Sequence, residues 1–279
     1  MQQKRTAQRT MKTLFVPLLA MLIGSATAAP KRQGSSPFSV GGDAMLVIDG
    51  GGKTLFSQNA STQREVASLQ KLVTALVITR AGNLDKQITV TAEDANCSPT
   101  KLPNAVGGTY TRRELLQAML VPSANDAARA LARDNAGGEA AFATKMTQLA
   151  RQLGASNSVF KTSNGLPASG QYSTAQDMAI IARAAYRDPV IRKAVAIKFL
   201  PWRDARGRPS SLRNANRLLH RHPNCTGMKI GYTGAAGHCL VASWEENGRT
   251  IFGVILGGKN ELFWVEAGVV LSLYANGLL

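Results

Sequence analysis

Of 279 residues, 33 are Lys or Arg and 17 are Asp or Glu, so the chain carries a net charge of +16. An apolar content of 44% with only 6% aromatics suits a globular, enzyme-sized core. The three cysteines, Cys97, Cys225 and Cys239, exclude a complete intramolecular disulfide framework, and no His/Cys cluster has metal-ligand spacing.

The first 28 residues are expected to be a secretory signal peptide. Lys4, Arg5, Arg9 and Lys12 form a basic start, Leu14 to Gly24 an apolar run, and Ala26-Thr27-Ala28 a small-residue cleavage site. That run is too short to span a bilayer, where roughly 20 residues are needed, and no later segment is long and apolar enough to do so. The expectation is an exported, soluble mature chain of about 250 residues, enough for one large domain or two small ones. Removing the four leader cations from +16 leaves about +12. Export argues against nucleic acid as the partner of that charge and favours anionic polymers of the cell envelope. Arg203, Arg206, Arg208, Arg213, Arg217 and Arg221 fall in one short stretch and are a candidate patch; a solvated basic face without a partner is the alternative.

In chain order, residues 29–42 are expected to be a flexible lead-in. Residues 44–58, AMLVIDGGGKTLFSQ, read as two short strands around a Gly-Gly-Gly-Lys turn. SLQKLVTALVITR reads as a helix with Leu72, Leu76 and Thr79 on a stripe and Gly82-Asn83 as its stop. Thr111 opens another helix with Glu114 at capping-box spacing. NDAARALARDN, EAAFATKMTQLARQLG and STAQDMAIIARAAY continue the helical pattern. MKIGY, HCLVASW and RTIFGVILGG form a three-strand meander, and ELFWVEAGVVLSLYANGLL ends the chain as a helix. Strands at both ends with helices between them predict an α+β fold. An antiparallel sheet is built from both chain ends and packed with helices, a helical lobe stands beside it, and the cleft between is a natural site. A hairpin centred near Gly234–Ala235 does not set Cys225 opposite Cys239, although a bridge across neighbouring strands is the alternative.

Three short motifs carry the chemistry. In Ser68-Leu-Gln-Lys71 the hydroxyl and the amine share a helix face. A serine is a weak nucleophile until a base lies beside it, and a lysine serves if its surroundings depress its pKa. A helix N-terminus adds free N–H groups suited to an oxyanion. In Pro122-Ser-Ala-Asn125 the hydroxyl can relay a proton and the amide can orient a lysine or a peptide carbonyl; the plain reading is an N-cap. In Lys229-Ile-Gly231, on a strand-like run, the lysine would be a cleft-lining cation and the glycine would leave room for substrate backbone. Each motif alone is weak, but their joint order is that of penicillin-binding proteins and class A β-lactamases.

From about residue 43 to 275 the chain resembles the D-alanyl-D-alanine carboxypeptidase family, the low-molecular-weight penicillin-binding serine peptidases, which include endopeptidases. The resemblance lies in EVASLQKLVTALV, TRRELLQAMLVPSANDAARALA, VFKTSNGLP, YSTAQDMAIIARAAY, NANRLL and GMKIGYTGAAGHCLV. It implies a β-lactamase/transpeptidase-like fold for a catalytic domain at 43–279, with peptidoglycan peptides as substrates and β-lactams as covalent inhibitors. Carried over by position, it implies that Ser68 attacks the D-Ala–D-Ala carbonyl, Lys71 takes its proton, and Ser123 passes a proton to the leaving amine. Asn125 would hold Lys71 and the substrate amide, Lys229 would face the substrate carboxylate, and the N–H groups of Ser68 and Tyr232 would form the oxyanion hole. No metal or organic cofactor is implied.

The chain departs from the family at Ile230, where a threonine is usual. Losing a hydrogen bond to a charged group costs roughly 1.5–3 kcal/mol, so weakened chemistry is expected, chiefly on substrates with a free C-terminal carboxylate. That raises an endopeptidase cutting cross-links, or a weakly active peptidoglycan-binding homologue, as alternatives. A β-lactamase would need a deacylating acid, and FKTSNGLPASGQY has none. Longer members carry a second, β-rich domain and a membrane-lying helix; neither is expected here, which predicts a soluble periplasmic or otherwise extracytoplasmic protein.

Overall fold

A computed structural model describes residues 41–259 and 263–279. The expected signal peptide and nearly all of the expected lead-in lie outside the described residues. From the N-terminal side come β1 (Ala44–Asp49), β2 (Thr54–Gln58), a 3-10 turn (Ala67–Gln70), α1 (Lys71–Ala81), β3 (Gln87–Thr89), α2 (Ala92–Ala95) and β4 (Thr109–Thr111). The helical middle holds α3 (Arg112–Leu120), α4 (Asn125–Ala136), α5 (Glu139–Gln152), α6 (Ala175–Arg187) and α7 (Pro189–Val195). Then follow β5 (Phe199–Arg203), β6 (Pro209–Arg213), α8 (Arg217–Arg221), β7 (Cys225–Thr233), β8 (Gly237–Glu246), β9 (Arg249–Gly258) and α9 (Phe263–Ala275).

The expected sheet forms from both chain ends. Its strand order is β2-β1-β9-β8-β7, with every neighbouring pair antiparallel. Side chains on a strand alternate between faces, and in β1 this sends Leu46 and Ile48 into one apolar cluster and Met45 and Val47 into another. A strand buried on both faces reads as a continuous apolar run, as AMLVI does. The second cluster lies under α9, whose Phe263, Trp264, Val270 and Leu271 pack with Val47, Leu240 and Ile255.

The larger cluster surrounds α1, and here the expected stripe fails. All residues from Lys71 to Ile78 are buried, so α1 is a central helix enclosed on every side rather than an amphipathic surface helix. Periodicity has little to show where no face meets water. The capping box at Thr111 forms as expected: its hydroxyl accepts from the Glu114 N–H while the Glu114 carboxylate accepts from the Thr111 N–H.

Seven elements were not anticipated, the short α2 among them. The β3–β4 and β5–β6 pairs and the short α7 and α8 lie in stretches whose polar or basic residues mask the pattern. For α7 a local signal existed, since Asp188 caps it with Pro189 in the first turn. Cys225 lies opposite Trp244 and Cys239 opposite Gly231, so the two thiols are not paired, and all three cysteines are free. No helix among the described residues is long and apolar enough to cross a membrane.

Candidate active site

The 3-10 turn explains how Ser68 and Lys71 meet. In that geometry the side chains at i and i+3 eclipse, which stacks the Lys71 amine over the serine. Nζ lies 2.7 Å from Ser68 Oγ. The N–H of Ser68, in the first turn, has no intrahelical acceptor. Ala67, just before it, has φ of 48°, a left-handed conformation unusual for a residue with a Cβ. Backbone strain therefore sits beside the nucleophile.

Lys71 is buried and held from three sides. Its Nζ stands 2.7 Å from Asn125 Oδ1 and 2.6 Å from the Asn164 carbonyl oxygen. Neither Ser123 nor Asn125 caps α4, whose N-cap is Ala124 without a side-chain bond; the plain capping reading is therefore set aside. Instead the Asn125 amide donates to the Ser98 and Pro99 carbonyls, which fixes its oxygen toward the lysine. Burial, and next the nearby Lys229 charge, hold the Lys71 pKa well below the usual lysine value.

Asn164 was missed, because its contribution is a main-chain carbonyl that any residue type could supply. The Asn-Gly step in TSNGLP is a turn signal, but nothing in it says which way the carbonyl points. Tertiary bonds decide that. Thr74 on α1 donates to the Ser163 carbonyl at 2.6 Å, and Glu139 at the start of α5 accepts from both the N–H and the hydroxyl of Ser163 at 2.6 Å. Gly165 has φ of 87°, and a Cβ there would lie 2.2 Å from the Ala67 carbonyl oxygen. The loop is thus locked against the nucleophile turn.

The third motif comes from β7, an edge strand of the sheet. Lys229 is nonetheless only 1% exposed, because the 3-10 turn packs against the face of the strand that positions 229 and 231 share. Burial lowers its pKa to about 7, and its amine donates to the carbonyl of Ile230 at 2.9 Å. Gly231 has a reason beyond the space reserved for substrate. A Cβ there would lie 2.7 Å from the Ser68 nitrogen and 2.9 Å from Ala67 Cβ, so only glycine lets the strand approach the nucleophile turn this closely.

A pocket of about 310 Å³ opens over this arrangement, lined by Ser68, Ser123, Asn125, Ile230, Gly231 and Tyr232, among others. Ser68, Lys71 and Asn125 are joined by direct bonds. Ser123, with a left-handed φ of 72°, shares the pocket without bonding to Lys71 or Lys229. Ile230 lines the pocket and also packs against the cluster under α9. Tyr232 is exposed and packs at a tilt against His238, with ring centroids 4.6 Å apart.

Comparison with known proteins accounts for this geometry. A crystal structure of a D-alanyl-D-alanine carboxypeptidase from Mycobacterium tuberculosis superposes with a TM-score of 0.81 at 29% identity, covering 88% of this chain and 95% of that one. DacF of Bacillus subtilis, a D-alanyl-D-alanine carboxypeptidase, is 30% identical over 262 residues, or 90% of this chain and 67% of DacF. DacC of Escherichia coli, named likewise, is 33% identical over 252 residues, covering 84% of this chain and 61% of DacC. The chain thus spans roughly two thirds of DacF and of DacC. The sequence pattern of the D-alanyl-D-alanine carboxypeptidase family matches residues 31–260. The chain belongs to that family.

Proposed function

We propose that this protein is a serine-type D-alanyl-D-alanine carboxypeptidase that acts on peptidoglycan stem peptides through an acyl-enzyme, outside the cytoplasm. One observation carries the reading: the Lys71 amine, buried, is bracketed by Ser68 Oγ, Asn125 Oδ1 and the Asn164 carbonyl. The last two oxygens only accept hydrogen bonds. A neutral amine has two hydrogens and one lone pair. With its hydrogens committed to those two oxygens, its lone pair faces the serine hydroxyl, and the lowered pKa favours that neutral form.

Lys71 then takes the Ser68 proton as Oγ attacks the D-Ala–D-Ala carbonyl. The N–H groups of Ser68 and Tyr232 hold the developing oxyanion, an effect worth about 3–4 kcal/mol per donor elsewhere. Collapse breaks the C–N bond, and Ser123 delivers the proton to the leaving amine. Water then hydrolyses the Ser68 ester and restores the hydroxyl. Asn125 keeps Lys71 in place and meets the substrate amide, while Gly231 keeps the strand against the turn. Lys229, protonated, would supply positive potential toward the substrate carboxylate. The same acylation would capture β-lactams. The loop over residues 160–172 contains no acid to speed release of such an adduct, and the Glu139 carboxylate that touches it is bound by Ser163.

Ile230 supports a second reading, a D,D-endopeptidase cutting cross-links. Its side chain puts hydrocarbon at the pocket where the family's hydroxyl would meet a free carboxylate. The test is intact mass after incubation with a penicillin, beside Ser68→Ala. An adduct confined to the Ser68 protein, with release of D-alanine from a stem pentapeptide, supports the carboxypeptidase; cleavage of cross-linked dimers alone supports the endopeptidase. Absence of any adduct or cleavage would refute both.

A further inference from the structure

The catalytic reading leaves the basic charge unused, and the structure gathers much of it in one place. Between Pro189 and Trp244 the chain has ten Lys or Arg and a single acid, Asp204. That acid is already occupied: it accepts from Arg208 at 2.7 Å and from the N–H groups of Arg206 and Arg208 at 2.9 and 3.0 Å. It thereby folds the tip of the β5–β6 hairpin rather than neutralising the rest of it.

Alternation along the hairpin sorts its two faces. Leu200 and Trp202 are buried, Trp202 stacked on Tyr110, while Phe199, Pro201 and Arg203 are exposed. Phe199 pairs with Arg213, Pro201 with Ser211 and Arg203 with Pro209, so Arg203 and Arg213 stand at opposite ends of one outer face. At about 3.3 Å per residue they are roughly 13 Å apart along the strands. Neither makes an ion pair among the described residues, and Arg206 is exposed at the tip. Arg192, Lys193 and Arg221, all exposed, flank the base. Two residues past Arg213, Ala215 donates its N–H to the Val121 carbonyl and lines the catalytic pocket. The basic face therefore runs up to the rim of the active site.

We propose that this hairpin face binds a phosphodiester polymer lacking bases, which would hold the enzyme against polymer-bearing cell wall with its pocket beside the substrate. Three features select that partner. The cations are mostly arginine, whose planar fork pairs bidentately with phosphate. Their spread along the face exceeds the reach of one small anion. Only one large apolar side chain, Phe199, is exposed on the hairpin, too little for insertion into a lipid surface, where apolar burial accompanies charge. The expected export argues against nucleic acid.

The experiment measures anisotropy of fluorescent poly(glycerol phosphate) with the intact protein, beside glycerol phosphate, phosphatidylglycerol vesicles and duplex DNA at equal phosphate. Arg203→Ser/Arg213→Ser is expected to weaken polymer binding at least tenfold. Arg80→Ser/Arg151→Ser, equal in charge and exposed elsewhere, is expected to leave it unchanged. With about four phosphates neutralised, affinity should fall roughly fiftyfold between about 50 and 200 mM salt. Penicillin acylation at Ser68 should be the same in all three proteins, which separates this inference from the catalytic one. Equal loss in both double variants would overturn the site in favour of diffuse charge. Tighter binding of vesicles or DNA than of the polymer would overturn the partner.

Discussion

Burying Lys229 carries a direct cost to the fold. Its pKa falls from the ordinary 10.5 to about 7 because burial opposes its charge. Between those values the unfolded chain binds a proton that the folded protein does not, so stability rises with pH through that window and is lowest below about pH 7. At pH 7 the penalty amounts to about 4 kcal/mol, taking 1.36 kcal/mol per pKa unit. Lys229→Met keeps the length and apolar stem of the side chain and removes the charge. It also removes the amine's hydrogen bond to the Ile230 carbonyl, worth about 1 kcal/mol. The variant should therefore be more stable by about 3 kcal/mol at pH 7, or about 5–10 °C in Tm for a domain of this size. That advantage should shrink as pH rises and vanish at about pH 10, where the remaining burial penalty only matches the lost hydrogen bond. Penicillin acylation should fall at least tenfold, because the positive potential is gone. Thermal melts of both proteins from pH 6 to 10, with acylation followed in parallel, test the argument. A Tm at pH 7 that is unchanged or lowered, or a gap that does not close with pH, would refute it.

Three further outcomes follow from the same geometry. Ile230→Thr should raise kcat/KM about ten- to hundredfold on peptides with a free terminal carboxylate, the equivalent of about 1.5–3 kcal/mol, with little change on the amidated peptide; equal gains on both would detach Ile230 from carboxylate recognition. Gly231→Ala forces a Cβ to within 2.7 Å of the Ser68 nitrogen. It should lower the acylation rate more than a hundredfold while destabilising the protein by about 1–3 kcal/mol, and near-normal acylation would show that the turn can yield. Glu139→Ala removes both acceptors of Ser163, so the Asn164 carbonyl should drift and kcat should fall with little change in KM. The acid limb of the pH–rate profile should move downward in this variant, because the Glu139 charge raises the Lys71 pKa and a displaced carbonyl would hold the ammonium form less well.

The motifs were legible because each combines a rare residue type with a local constraint. Ser68 and Lys71 meet through three residues of chain, so their spacing alone pointed to contact, and the 3-10 turn only shortened it. The five-stranded sheet was readable from its ends because β1 and β9 carry apolar runs too long to be surface strands. Asn164 was not readable, because the direction of its carbonyl depends on Thr74 and Glu139 fixing the neighbouring Ser163 from two helices. Nor was α1's enclosure, since a helix buried on all sides loses the periodicity that reports which face is covered. The β5–β6 hairpin was read as a run of arginines because its buried partners, Leu200 and Trp202, alternate with exposed residues over only five positions.

Sequence by itself determined which candidate groups the chain carries, their order and the departure at Ile230, since those are matters of residue type and short spacing. Only the tertiary structure decided what state those groups are in. Lys229 lies on an edge strand that would ordinarily meet water, and it is buried because the nucleophile turn packs against its face of that strand. The Lys71 amine is fixed in place because two carbonyl oxygens, from residues 54 and 93 positions away, accept its hydrogen bonds. A pKa and an orientation come from the surroundings of a side chain, and those surroundings are assembled from distant parts of the chain.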